Sequence, residues 1–369
     1  MKKLYLLILL FAAASPLAAL RCGEKAAELP NLKYLHGRRS QISLPGAPGT
    51  LRVLTFVHSQ ARGAQGTAAM LMALDAIHKN KVQQIMITPD PESDAATLLP
   101  MLRRGRTALA LDSSRRVTMQ YMAGSLLFPK SFVIDHKGVI IWCGETVDLG
   151  EMLQNYFAGT FDRAAAEKVC PMLDELQTLL RESSERKMKQ LTDKIFALSP
   201  DHPGALRMRL FALENSNRIP QAWELLQSRL KAAPRSARLC FTTIDFISRY
   251  SSFKNQLGTV LAHFDRNIKA EDSRCMMAWE LLKRFQYNLK ALEYANILLG
   301  PTAPRTFELR RLWLAARAQV AYLAGDLPQA IRYQKQISAM NQSLGIKTPD
   351  ALLEYFKGAE KLKKSLPAN

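Results

Sequence analysis

FPKSFVIDHKGVIIWC, residues 128–143, is two apolar runs on either side of a short polar centre. Phe128 to Asp135 reads as one strand and Val139–Cys143 as its partner, with His136-Lys137-Gly138 as the turn between them. Such a turn needs one residue at positive φ, and Gly138 supplies it without a Cβ penalty. Outward from this hairpin, strand and helix signals alternate over residues 30–157. Val53–Val57 is a short apolar strand. Ala64–His78 carries Ala68, Leu71 and Met72 alongside Met70, Leu74 and Ile77, the spacing of a helix buried on much of its surface. Gln84–Thr88 is a further strand, ending at the turn Pro89-Asp90-Pro91, after which Ser93 or Asp94 is placed to N-cap a helix through Leu102. Ala108–Leu111 is another strand and Val117–Met122 a short helix. The alternation predicts an α/β layer architecture.

Three local stretches carry a family resemblance: LPNLKYLHGRRSQISLPGAPGTLRVLTF (29–56), TALALD (107–112) and PKSFVIDHKGVI (129–140), the last having the form Pro-x-x-Phe-x-Ile-Asp-x-x-Gly. They resemble the thioredoxin-like fold, specifically its exported thiol–disulfide oxidoreductase and redoxin branch. The resemblance implies a thioredoxin-like domain, a central mixed sheet flanked by helices, over residues 30–160. It places Gly37 in a first hairpin, with Ile42-Ser43-Leu44 leading to the first central strand. It also implies that Pro129 is a cis-proline facing the active-site turn, and that two cysteines open the helix after the first central strand. There a helix N-terminus lowers the first thiol's pKa.

In this chain those two positions are Ala61 and Ala64; a slip of one residue gives Gln60 and Gly63, and still no thiol. Neither residue type can attack a disulfide or form a sulfenic acid. Ser59 and His58 lie beside the turn, where a strand-end hydroxyl capping the next helix is the ordinary reading and a nucleophile the sharper one. What the resemblance leaves is a peptide groove at Phe128, Pro129 and Gln60, because backbone pairing does not require the thiols. Two other thiols are candidates. Cys143 reads as a buried, inert strand residue. Cys170 precedes Pro171, so it reads as a helix cap with a lowered pKa, helped by Lys168.

The N-terminus has the layout of a secretory signal peptide over residues 1–19: Lys2 and Lys3, an apolar run Leu4–Ala14, then Ser15-Pro16-Leu17-Ala18-Ala19. Arg21 directly before Cys22 argues against a lipidation signal. Export to the periplasm or cell envelope of a bacterium is therefore expected, in a compartment that permits disulfides. The five cysteines are scattered, odd in number and without a CxxC pair, so no disulfide scaffold is expected. The six histidines are dispersed with no ligand spacing, so no metal site and no cofactor is expected. The net charge is +19, of which +12 lies from residue 161 onward (33 Lys+Arg against 21 Asp+Glu). Basic residues spread along helices read as a solvated face, with a weak anionic-membrane contact as the alternative. Export counts against nucleic acid, and none is expected as the partner.

From residue 161 to 369 helix periodicity takes over. Pro200 in ALSPDHPGA and Pro234 in KAAPRSARL lie 34 residues apart, and NRIPQAWELL resembles GDLPQAIRYQ with its alanines 108 apart. NLKALEYANILL is a third copy, its Ala291 lying 69 after Ala222. The period resembles degenerate tetratricopeptide repeats and predicts helix pairs at about 183–230, 231–268, 272–300 and 303–342, plus a last helix from Pro349 to Leu362. Alanines such as Ala205, Ala222, Ala291 and Ala330 allow close helix approach, and Trp223, Trp279 and Trp313 read as packing residues. The expected function is a redox-inactive, exported thioredoxin-like protein that binds a protein or peptide partner. The alternative is an atypical thiol–disulfide oxidoreductase or thiol peroxidase using Cys170 or Cys143.

Overall fold

Leu51–Phe56 (β2) is buried at every position, so it must be flanked on both edges and covered on both faces. The computed structural model describes residues 20–37, 47–61, 63–103, 105–122, 128–305, 307–343 and 350–365. The expected signal peptide, the Ile42-Ser43-Leu44 segment, Arg62 and Pro349 lie outside these. With β1 (Lys33–His36), β3 (Val82–Thr88), β4 (Ala108–Leu111), β5 (Lys130–Ile134) and β6 (Ile140–Glu145), the sheet order is β1-β4-β3-β2-β5-β6. β2, β3 and β4 are parallel, while β1 and the β5–β6 hairpin run antiparallel to their neighbours. β1 pairs with β4, so Gly37 follows an edge strand whose partner comes much later in the chain. This is the central mixed sheet flanked by helices that the resemblance implies.

The hairpin turn closes through Gly138 N–H to Asp135 O at 3.0 Å, with Gly138 at φ 78°. Side-chain alternation along β2 sorts the interior into two cores. Leu51, Val53 and Val57 face helix α1 (Ala64–His78), whose Ala64, Ala68, Leu71 and Leu74 form the opposing stripe. Leu54 and Phe56 face the other core, with Phe132, Tyr121, Cys22, Cys143 and Cys170. The helical stretch after β3 begins at Glu92 with Pro91 as N-cap, two to three residues before the Ser93 or Asp94 cap read from sequence. Proline at that position lacks only an N–H that would have been an orphan. That stretch is α2 (Glu92–Ala95) and α3 (Leu99–Leu102), joined by a 3-10 turn; α4 (Arg116–Met122) and α5 (Leu149–Phe157) complete the domain.

The chain forms two compact units, Met1–Ile219 and Pro220–Asn369. In the first, α6 (Arg163–Arg181) packs on β6, and α7 (Glu185–Leu198) and α8 (Pro203–Asn215) pack on α6 and each other. Residues 183–230 therefore hold α7, α8 and most of α9 (Ile219–Ala232), where the repeat period predicted one pair. The second unit continues with α10 (Ala237–Arg249), α11 (Leu257–Asn267), α12 (Glu271–Arg284), α13 (Leu289–Leu299), α14 (Phe307–Leu323), α15 (Leu327–Ser343) and α16 (Ala351–Ser365). These follow the predicted pairs at 231–268, 272–300 and 303–342. Helices α10, α12 and α14 pack in succession, and each also packs on its own following helix. Ala291, Ala316 and Ala330 are buried on these helices, and Ala222 is buried on α9. Trp313 is buried and donates its indole N–H to Leu299 O at 2.7 Å, while Trp223 stacks on Phe253. Among the described residues no helix is long and apolar enough to cross a membrane.

Candidate functional site

At the carboxyl end of β2 the chain makes the turn at which the resemblance placed the two thiol positions. Ala61 N–H donates to His58 O and Ala64 N–H to Ala61 O, both at 3.0 Å. Gly63, at φ 101°, turns the backbone into α1 and is its N-cap, with no side-chain cap. Ala64 is buried, Ala61 half-buried and Gln60 exposed. The Phe128–Pro129 bond is cis, as the resemblance implies, and both residues are half-buried at the start of β5 beside β2. Phe128 lies against the His58 ring, centroids 4.2 Å apart, which joins the groove candidate to the turn.

Ser59 does not cap α1. Asp90, which the sequence reading treated only as part of a turn, reaches across from the end of β3 and collects the polar groups here. It accepts Ser59 Oγ at 2.8 Å and Thr88 Oγ1 at 2.9 Å, and its other oxygen lies 2.9 Å from His58 Nδ1. The Ser59 backbone N–H also donates to it. Burial pushes the Asp90 carboxyl upward, but the bonds from His58, Ser59 and Thr88 outweigh it and hold the group below its ordinary value. A serine nucleophile needs its hydroxyl bonded to the imidazole. Here the Ser59 hydroxyl is bonded to the carboxylate, so the three residues make a structural knot. The missed signal was a carboxylate flanked by prolines at the end of a parallel strand, where ligand-side loops gather.

The cysteines behave differently from the expectation. Cys170 caps nothing: it is buried within α6, whose N-cap is Asp162, accepting Ala165 N–H at 2.9 Å. Pro171 sits inside that helix. The backbone bond it forfeits is offset by burial of Val169, Cys170, Leu173 and Leu176. Cys22 and Cys170 form a disulfide, with Cα atoms 6.3 Å apart and a separation of 148 in sequence. Cys143 Sγ lies 2.9 Å from Cys170 Sγ and 3.8 Å from Cys22 Sγ. Burial drives the Cys143 thiol up to about 12; Lys130 opposes this and Asp174 adds to it. The three sulfurs gather within 4.8 Å, close enough for a metal-ligand set. With two of them in a disulfide, though, only Cys143 is a thiol able to become a thiolate ligand. Cys240 and Cys275 are buried and unpaired in the second unit.

Around this cluster α6 and α8 are locked to the sheet by ion pairs. The Lys130 ammonium, buried next to the cis-proline, meets Asp174 at 2.9 Å. Arg207 of α8 makes a two-pronged contact to Asp148 at 3.0 and 2.7 Å and also reaches Glu145 at 2.9 Å. Burial alone would lower the Arg207 pKa, but Asp148 and Glu145 together raise it above its ordinary value. The helices that follow the sheet are thus part of the same folded unit. At the opposite end of the β5–β6 hairpin from Pro129, a cavity of about 290 Å³ opens among Asp135, His136, Tyr156 and Phe161.

No protein-family model matches the sequence, and no curated protein does. Solved structures do. A Chlorobium tepidum protein provisionally named as the thiol:disulfide interchange protein DsbE is 19% identical, with a TM-score of 0.31, over 39% of this chain and 100% of its own. The thioredoxin domain of a Bacteroides vulgatus thiol-disulfide oxidoreductase is 16% identical at 0.30, over 37% of this chain and 99% of its own. Bacillus subtilis StoA is 16% identical at 0.27, over 34% of this chain and 98% of its own. The chain is thus a mixed α/β sheet domain, similar to these structures over about two fifths of its length, followed by a helical array.

Proposed function

We propose that this is an exported thioredoxin-like protein whose turn has no redox chemistry and which binds a protein or extended peptide in the bacterial cell envelope. One observation supports the reading: at the turn where the resemblance puts the thiols the chain has Ala61 and Ala64, and Phe128 lies against His58 beside it, ring centroids 4.2 Å apart. An extended peptide lying beside Phe128 would bind through main-chain hydrogen bonds, which need no thiol. The helical array, read as degenerate tetratricopeptide-like repeats, adds a second recognition surface. Its positive charge favours acidic segments of the partner, with weak contact to anionic membrane as a by-product.

The test uses the full chain without its leader, immobilised and exposed to a library of extended peptides. Selected peptides should bind the wild type and lose about tenfold or more in affinity to Phe128→Ala, an aromatic anchor's share. Equal binding by the two proteins would overturn the groove. The second reading is an oxidoreductase or thiol peroxidase working through Cys170 or Cys143, favoured by the adjacency of three sulfurs. Both of those sulfurs are buried, which withholds them from an external disulfide. Insulin-disulfide reduction or peroxide consumption abolished by Cys170→Ser would establish this second reading in place of the first.

A further inference from the structure

Residues 20–29 form a strap across the core that holds Phe56, Phe132 and the three sulfurs; Leu20, Ala26, Ala27 and Leu29 pack on that core. The strap also adds a short pairing to the outer edge of the sheet. Gly23 N–H donates to Ile140 O at 2.8 Å, Ile140 N–H to Glu24 O at 2.9 Å, and Ala26 N–H to Gly138 O at 2.9 Å. Lys25 bridges Val139 in antiparallel sense. Without the strap, the first residues of β6 would present open backbone groups, the kind of edge that recruits another strand. One covalent bond secures it: Cys22–Cys170, which ties the strap to α6.

Cys143 stands beside that bond from the third element of the cluster, the edge strand β6. Its sulfur is nearer to Cys170 (2.9 Å) than to Cys22 (3.8 Å). Thiol–disulfide exchange requires a thiolate close to one sulfur of a disulfide, with the other sulfur free to leave. We infer that Cys22, Cys143 and Cys170 are one exchanging set, in which Cys170 carries a disulfide to either Cys22 or Cys143 and the transfer unlatches the N-terminal strap from the sheet edge. Cys143 gives up its proton and its thiolate attacks Cys170 Sγ. The Cys143–Cys170 bond forms as the Cys22–Cys170 bond breaks, and Cys22 leaves as the thiolate and takes up a proton. One disulfide and one thiol are present before and after, so no outside oxidant or reductant is involved.

The surroundings make the transfer slow at neutral pH. Two charged groups sit close enough to bias the Cys143 thiol: Lys130 from β5, which favours the thiolate, and Asp174 from α6, which opposes it. Burial dominates, so the thiolate is scarce at pH 7 and grows about tenfold per pH unit below its pKa. The strap is therefore latched under ordinary conditions and released by anything that deprotonates or exposes Cys143. This inference is independent of peptide binding at Phe128.

The full chain is reoxidised without reductant, incubated at pH 9, quenched with acid, and its disulfides mapped by mass spectrometry of the digested, alkylated protein. Both Cys22–Cys170 and Cys143–Cys170 linkages are expected in the wild type. A single linkage in the wild type overturns the exchange whatever the variants do. Cys143→Ser should hold only Cys22–Cys170, and Cys22→Ser should convert to Cys143–Cys170. Hydrogen exchange then reads the latch: the amides of Gly23, Ala26 and Ile140 should exchange at least tenfold faster in Cys22→Ser than in Cys143→Ser. Equal rates would remove the unlatching even if the linkages interchange.

Discussion

Replacing each cluster cysteine by alanine in turn should produce an unequal stability ladder, and its steps follow from chain positions. A disulfide restrains the unfolded chain by an amount that grows with the logarithm of the loop it closes. Cys22–Cys170 spans 148 residues, which in the chain-entropy relation is about 5 kcal/mol at 25 °C. A Cys143–Cys170 link spans 27 residues, which gives about 3.5 kcal/mol. Cys170→Ala, with Cys22 and Cys143 kept as free thiols, leaves neither link and loses about 5 kcal/mol. Cys22→Ala leaves Cys143 to take over and loses only the difference, about 1.5 kcal/mol. Cys143→Ala keeps the long link and loses none of it. The sulfur's own packing, about 1 kcal/mol, is common to all three and cancels in the comparison. For a unit of this size 1 kcal/mol moves Tm by roughly 2–4 °C. Calorimetry of the unreduced variants should therefore place the first unit's transition about 10–20 °C lower in Cys170→Ala than in Cys143→Ala. The Cys22→Ala value should fall about 3–6 °C below that of Cys143→Ala. If Cys22→Ala falls as far as Cys170→Ala, Cys143 is no substitute partner and the reasoning fails.

Two predictions concern the turn. The pair Ala61→Cys and Ala64→Cys, introduced together, should bring thiol chemistry to the start of α1, read as insulin-disulfide reduction absent from the wild type; if the introduced pair is inert, the turn lacks more than sulfur for that chemistry. For Asp90, the folded-state pKa lies below the unfolded one, so its contribution is fully present above about pH 4 and is lost as pH falls through the lowered folded value. Asp90→Asn should cost about 2 kcal/mol at pH 7 and flatten the acid limb of the urea-midpoint profile; an unchanged limb would remove Asp90 from the network.

The hairpin 128–143 was legible because its determinants are local: two apolar runs, a glycine at the required φ, and a cis-proline implied by motif. The helix Ala64–His78 and the strand Ala108–Leu111 were equally plain, since periodicity of 3.6 and short apolar runs are read within one window. Cys170 was misread for the same reason. A proline following a cysteine is a local sign of a helix start, and the packing of α6 on β6 overrode it. The helix pairs after residue 231 followed the repeat period, whereas the three helices at its start did not, because α7 and α8 pack with α6 in the first unit.

The sequence alone determined the order of elements, the lack of any cysteine in the turn after β2 and the place of Pro129, all matters of composition and near neighbours. Only the tertiary structure decided which distant side chains meet. Asp90 lies 31 residues from Ser59, and Cys143 and Cys170 lie 121 and 148 residues from Cys22. No window of sequence contains both members of such pairs. They come together because burying two apolar faces of one sheet fixes where β3, β6, α6 and the N-terminal strap must lie, and the polar and sulfur groups are carried to their partners by that packing.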